Sequence, residues 1–337
     1  MATQFVVMLA PSCADKVDVV LDALESLDGI EARWTVFRDN SEIRRLNRAA
    51  GQQPLAVSSE TFAILQRAIK LSKMTGGAFD VTAGPLIDAW GFAGQGGRKP
   101  TPNEIGQARQ KVGIHYLTLD ETNRTAFLTR PGMRLNLGAI GKGDALDRLA
   151  DRLLGNGVTD FLIHGGQSSV LARGDQDPQK PTGWAVGVSH PTKPSIRLAG
   201  LWLKDGALAT SGSGKQFFHH RGRRFGHVID PRTGHPAGDL LSLTVITDRA
   251  ADADAIATGL FVLGSQPALE VRETLSELRV PRHPSSEHCD AQSPQDQSTV
   301  PVLLVRPASR QDGTEIQVEG EFHWIDPPRI HGDLAGR

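Results

Sequence analysis

Residues 134–147, RLNLGAIGKGDALD, constrain the fold more than any other stretch of this chain. Met133 and Leu135 read as a strand end, and Gly138, Gly141 and Gly143 then make a turn. Leu146, Leu149 and Leu153, with Ala150 and Leu154 beside them, recur at helical spacing until Gly155-Asn156-Gly157 stops the helix. A glycine turn between a strand and a helix start lets backbone N–H groups approach an anion, and the helix dipole favours one there. Lys142 adds a movable positive charge. Two readings stand: a phosphate cradle, or a tight turn and nothing more. The spacing is GxxGxG rather than GxGxxG. It is not the Walker pattern either, because Asn136 stands five residues before Gly141 and Gly143 follows Lys142.

At 337 residues the chain has room for one large domain or two, with an ordinary 39% hydrophobic and 22% charged content. A net charge of −1 supplies no long-range field toward nucleic acid or an anionic membrane. Cys13 and Cys289 are far apart and lack the neighbours of a zinc or disulfide framework. No apolar run reaches the roughly 20 residues that span a bilayer. The opening residues carry no basic region of a signal peptide, so the expected location is cytoplasmic, or exported if a signal precedes this start.

In chain order, residues 4–9 read as a strand and 15–27 as a helix with Val17, Val20, Leu21 and Leu24 on one face. Residues 34–47, WTVFRDNSEIRRLN, hold a short helix capped by Asn40 or Ser41, and a second capped helix starts near Ser58. Residues 76–92 contain Phe79 and Asp80, with Asp80 read as a turn former or cap. A hairpin is expected over residues 117–129, and strands over 160–163, 184–188, 198–203 and 241–247. The helix 250–263 places Asp254 and Thr258 on one face. They are either a hard oxygen site of the kind Mg²⁺ prefers, or a solvated Asp beside a Thr bonded back to its own helix. Residues 283–297 are polar and aperiodic, a disordered insertion; 300–318 make a terminal hairpin, and 326–337 a flexible tail.

Five segments occur together in order: WTVFRDNSEIRRLN, GGAFDVTAGPL with WGF, LNLGAIGKGDALD, TSGSG with GHVIDPRTGHP, and TVITDRAADADAIATGLFVLG. In this the chain resembles the ApbE family, the FAD:protein FMN transferases. The resemblance covers about residues 1–264. It implies an α+β fold of mixed or antiparallel sheets with packed helices, forming one domain over residues 1–325 or two α/β subdomains within it. It implies Mg²⁺-dependent transfer of FMN from FAD to a Thr or Ser hydroxyl of a target protein, with release of AMP. FAD hydrolysis to FMN and AMP, or FAD binding without turnover, are the alternatives. FAD and a target protein are thus the implied partners.

Residue by residue, the resemblance implies FAD contacts at Met1, Phe37, Ala78, Phe79, Asp80, Asn136, Lys142 and Val228. It implies metal ligation by Ala139, Asp254, Ala257 and Thr258, and it places His227 and Lys142 in the chemistry. His227 is the expected base for the hydroxyl. Lys142 and the helix-start amides are the expected electrostatic support. The chain departs from the family at Asn136, where an acid is usual, at Phe37, where Tyr is usual, and at Asp144, where an aromatic is frequent.

Overall fold

The computed structural model describes residues 4–94, 96–214, 216–281, 299–308 and 313–329. Its frame is a seven-stranded sheet that runs Phe5–Leu9, Phe161–Gly165, Ser169–Arg173, Gly206–Gly212, Ser242–Thr247, Val302–Pro307 and Thr314–Glu319. Every neighbouring pair is antiparallel, and the spatial order is the chain order. Each excursion of the chain therefore returns beside the strand it left.

Alternation across the strands decides what covers each face. Phe161, Ile163, Ala207, Ala209, Leu243 and Val245 point into the main core, shared with the helices. Leu162, Leu208, Ile246, Leu303 and Val305 point the other way, against the hairpin Trp184–Ser189 and Arg197–Leu203. That hairpin and Trp324–Asp326 make a separate three-stranded sheet. A strand covered on both sides should be apolar throughout, and all six residues of Ser242–Thr247 are buried.

The helical face is built around Ala250–Leu263, which is apolar nearly all round and buried as such a helix must be. It carries two carboxylates inward, which require partners. Arg67 grips Asp252 with Nε–Oδ1 at 2.6 Å and Nη2–Oδ2 at 2.5 Å. Asp254 is satisfied differently, as described below. The helix Gly141–Gly155 packs across the start of Ala250–Leu263, and Gly143 marks the crossing. A Cβ at Gly143 would land on the Ala250 carbonyl, so only glycine admits this approach.

The expected elements are present, with their ends moved. The first helix runs Val17–Trp34, longer than its apolar spacing indicated, and begins in a 3₁₀ turn, Pro11–Lys16. Ser41 and Ser58 are the caps, accepting the Arg44 and Thr61 amides. A two-stranded ribbon, Phe217–His220 with Arg223–Gly226, stands apart from the larger sheets and had no strand assignment from sequence. The expected insertion at 283–297 lies outside the described residues, as do Met1 and residues 330–337. Among the described residues no helix is long and apolar enough to cross a membrane.

Candidate active site

Three sequence segments are stitched together through backbone groups around the glycine turn. Asn47, from the short Glu42–Arg48 helix, accepts the Leu135 amide at 2.7 Å and donates to the Leu135 carbonyl at 3.1 Å. From the 78–84 turn, the Val81 carbonyl accepts the Asn136 amide at 2.7 Å, and Gly84 N–H reaches the Arg134 carbonyl at 3.2 Å. Asn136 then folds the turn locally, its Oδ1 accepting Gly138 N–H at 2.8 Å.

Beyond the turn, Gly141–Gly155 starts with no side-chain cap of its own. One amide is supplied from across the crossing: Gly143 N–H donates to Asp254 Oδ2 at 2.7 Å. The amide of Lys142 has no partner among the described residues, and the Lys142 ammonium lies 3.6 Å from the same Asp254 oxygen. Asp254 Oδ1 accepts the Ser169 hydroxyl at 2.6 Å. Thr258 Oγ1 donates to the Asp254 carbonyl at 2.9 Å and meets Ser211 Oγ at 3.0 Å. Asp254 is only 5% exposed, which removes the solvated-surface reading. The back-bonded Thr258 occurs as that reading had it, yet it also faces a second hydroxyl.

These oxygens suit a hard cation. One buried carboxylate, Asp254, and the hydroxyls of Ser169, Thr258 and Ser211 linked to it offer oxygen donors only. Among the described residues no group of three or more His, Cys, Asp or Glu side chains competes as a metal cluster. A single-carboxylate oxygen set matches Mg²⁺, which keeps several of its waters, better than a zinc site. The Lys142 ammonium beside Asp254 marks the same place as one where positive charge is favourable.

His227 follows the ribbon strand Arg223–Gly226 directly. Its N–H donates to the Gln216 carbonyl, and its Nδ1 lies 3.1 Å from that same oxygen. Phe92 stands edge-on at 6.4 Å between ring centroids. Burial pushes the imidazole pKa down, the Gln216 carbonyl opposes the shift, and the Lys142 charge adds to it. His227 is therefore neutral near pH 7 and shares its electrostatic surroundings with Lys142. Val228, half-buried, accepts Ala237 N–H and leads into the Asp230–Gly234 turn.

In the 78–80 turn, where the resemblance implies FAD contacts, the side chains are committed to the protein itself. Phe79, 1% exposed, belongs to the main core, and Ala78 is buried with it. Asp80 uses both oxygens internally: Oδ1 accepts the Thr82 amide and hydroxyl, each at 2.7 Å, and Oδ2 the Ile114 amide at 2.8 Å. Burial nonetheless raises its pKa. Asp80 is thus a turn former, and this segment offers backbone rather than side chains. Beside it a cleft of about 600 Å³ is lined in part by Gly77, Asp80, Arg109, His115 and Arg232. Phe37 is the opposite case, a ring 75% exposed on the loop before Ser41, with no core to account for it.

Sequence reasoning missed four residues of this site: Asn47, Ser169, Ser211 and Asp147. Asp147, on Gly141–Gly155, caps the other helix: Oδ1 accepts Ala250 N–H at 2.8 Å and Oδ2 Ala251 N–H at 3.0 Å. Arg249 covers that carboxylate at 3.3 Å. Ser169 lay in the run HGGQSS, where two serines after a glycine pair were the available signal. Of the helix-start amides expected as electrostatic support, that of Gly143 is committed to Asp254.

All five segments of the resemblance thus meet at one place, and comparison with known proteins agrees. The ApbE family profile matches residues 1–280. The chain belongs to the ApbE family. It is 34% identical to the FAD:protein FMN transferase of Haemophilus influenzae over 255 residues, 73% of each chain. The enzyme of the same name from Vibrio cholerae is 31% identical over 267 residues, 78% of each chain. Among solved structures, the ApbE protein of Thermotoga maritima superimposes with a TM-score of 0.77 at 26% identity, covering 94% of this chain and 93% of that one. The Vibrio cholerae flavin transferase ApbE gives 0.73 at 26% identity, with 94% and 96% covered. The α+β expectation holds, and this ApbE-family protein is an enzyme of the transferase class.

Proposed function

We propose that this protein moves FMN from FAD to a Thr or Ser hydroxyl of a target protein and releases AMP, with Mg²⁺ at Asp254, Thr258 and the Ala139 and Ala257 carbonyls. One observation carries the reading. Asp254 Oδ2 meets the glycine-turn amide of Gly143 and the Lys142 ammonium, while the same Lys142 charge acts on a half-buried, neutral His227.

The chemistry follows from these groups. His227 takes the proton from the acceptor hydroxyl, for which a neutral imidazole is required. The hydroxyl oxygen forms a bond to the FMN-side phosphorus of FAD, and the bond from that phosphorus to the bridging oxygen breaks, so that AMP departs with the oxygen. Lys142 offsets charge that builds on the phosphate oxygens, and the unpartnered Lys142 amide adds a donor at the helix start. The metal, when bound, supplies Lewis-acid neutralisation of the pyrophosphate. Phe37, held in solvent before binding, is assigned to the flavin nucleotide, with the backbone of 78–80, Asn136 and Val228 beside it. Met1 keeps the FAD contact that the resemblance implies.

FAD hydrolysis is the same displacement with water as acceptor, and FAD binding without turnover is the remaining alternative. The test is incubation with FAD, Mg²⁺ and a candidate target, followed by mass spectrometry. Addition of FMN to the target, with AMP in equal amount, is the expected result. Free FMN and AMP with an unmodified target would assign hydrolysis, and bound FAD left intact would assign storage.

A further inference from the structure

The ribbon Phe217–His220 with Arg223–Gly226 has no part in the chemistry above, yet it runs straight into His227. Residues 212–229 hold no Asp or Glu, but contain Arg221, Arg223, Arg224, His219, His220 and His227, in a chain whose net charge is −1. We propose that this ribbon is the docking surface for the acceptor protein, and that it takes an acidic, extended segment of that protein. The proposal rests on the transferase reading, since only a transferase needs a protein acceptor.

The two faces of the ribbon do different work. Phe218 and Phe225 pair across it, stacked at 5.4 Å, and seat on Trp90 and Phe92. The other face is left outward, with Phe217 40% exposed, the Arg224 guanidinium 4.0 Å above its ring, and His219 edge-on at 5.4 Å. Arg221, at φ +50°, and Gly222 form the tip, and Arg221 and Arg223 are exposed. Neither has an acidic partner among the described residues. Phe217 with Arg224 on its outward face, and Arg221 and Arg223 exposed at the tip, with Arg223 5.5 Å over Phe225, are the aromatic and guanidinium groups expected of a protein interface for carboxylates.

The ribbon is also tied to the reacting centre. Arg224 Nη2 holds the Ser213 carbonyl at 2.5 Å, on the segment where Ser211 meets Thr258. From Arg223 to His227 the extended chain spans ~13 Å at about 3.3 Å per residue. A segment laid along the ribbon therefore brings its hydroxyl to His227 while its carboxylates lie at the tip. Nucleic acid and anionic membranes fit less well, because the cationic patch is one ribbon long on a protein of almost balanced charge.

The experiment measures binding of a fluorescein-labelled, threonine-containing peptide rich in Asp and Glu to the FAD-loaded enzyme. Its counterpart with Asn and Gln, a labelled oligothymidylate and phosphatidylglycerol vesicles are run beside it. The acidic peptide should bind at least ~10-fold more tightly than the amide peptide, and weaken as salt rises. Arg221→Glu with Arg223→Glu should lose that preference, and the milder Arg221→Gln with Arg223→Gln should reduce it, with FAD affinity unchanged in both. Equal binding of the two peptides overturns the proposal. So does absence of binding, an unchanged preference in both variants, or tighter capture of the oligonucleotide or vesicles. Failure of the wild-type enzyme to bind FAD would instead strike the transferase reading, and the peptide comparison would still report on the ribbon.

Discussion

At the start of Ala250–Leu263, Asp147 occupies two successive amides with its two oxygens, and Arg249 lies over the carboxylate. A few ångströms away, the start of Gly141–Gly155 has no cap of its own, and Asp254 reaches it through the Gly143 amide alone. Each helix thus lends an aspartate to the other, but the two loans differ. Asp147 is held by backbone groups that cannot turn away. Asp254 is held by one amide and by two partners that can move, the Ser169 hydroxyl and the Lys142 ammonium. The first helix start is sealed, and the second retains donor and acceptor capacity for a ligand. Buried polar groups that are fully satisfied hold a fold together, and those with movable partners are where chemistry is done.

The comparison is broken most severely at Asp254. Asp254→Ala should abolish Mg²⁺-dependent turnover, a loss of at least ~10³-fold if the metal supplies several kcal/mol of stabilisation. The variant should still fold, with a melting temperature lowered because the Gly143 amide and the Ser169 hydroxyl lose their acceptor, and unchanged metal dependence of rate would remove Asp254 from the site. Next in size is His227. His227→Ala and His227→Asn should each lower kcat about 10²–10⁴-fold, the range for a general base, with FAD affinity measured by calorimetry little changed. Because burial and Lys142 lower its pKa, the acid limb of the wild-type rate should be centred below the ordinary histidine value of 6.5 and be flat above neutrality. A limb centred above pH 7 would show another group to be the base.

Asp147 should show the reverse pattern. Asp147→Ala strands two helix-start amides, and should cost about 2 kcal/mol in urea unfolding while the rate per folded molecule is kept. Burial raises the Asp147 pKa from 3.8 to about 6, with Arg249 and the two amides opposing the shift. Between those values the folded chain holds a proton that the unfolded chain has released. The contribution of this group is therefore greatest below about pH 4 and is lost as pH rises through about 6. Relative to Asp147→Asn, the wild type should lose ground between pH 4 and 7, and a constant difference would contradict the raised pKa. Smallest is Asn136→Asp. The Oδ1 acceptor for Gly138 is preserved, so the turn should persist and FAD affinity should shift by only a few-fold, read by fluorescence titration.

Much of this was legible in the sequence because the signals were local. The apolar run of Ala250–Leu263 and the serine caps at Ser41 and Ser58 act within a few residues, and the structure has them at those places. The capping of Ala250 and Ala251 by Asp147 spans about a hundred residues, and no periodicity reports it. Asn47 gripping Leu135 is hidden for the same reason. Phe79 illustrates a different limit. Its place in a motif carries the FAD contact that the resemblance implies, but nothing in the local sequence says that its ring packs into the main core. The ribbon 217–226 escaped because its arginines and histidines mask the alternation of Phe218 and Phe225 toward Trp90.

The sequential order of the central sheet also sets a timetable for the nascent chain. Two of the six pairings are hairpins and three cross excursions of 29 to 54 residues, but Phe5–Leu9 finds its partner only in Phe161–Gly165, after 151 intervening residues. At about 5–20 residues per second, the ribosome delivers that partner some 8–30 s later. Until then the first strand is an open edge, and the helices of the long excursion must collapse without the sheet on which they will rest. Closure of this one high-contact-order pair should be the slow phase of refolding.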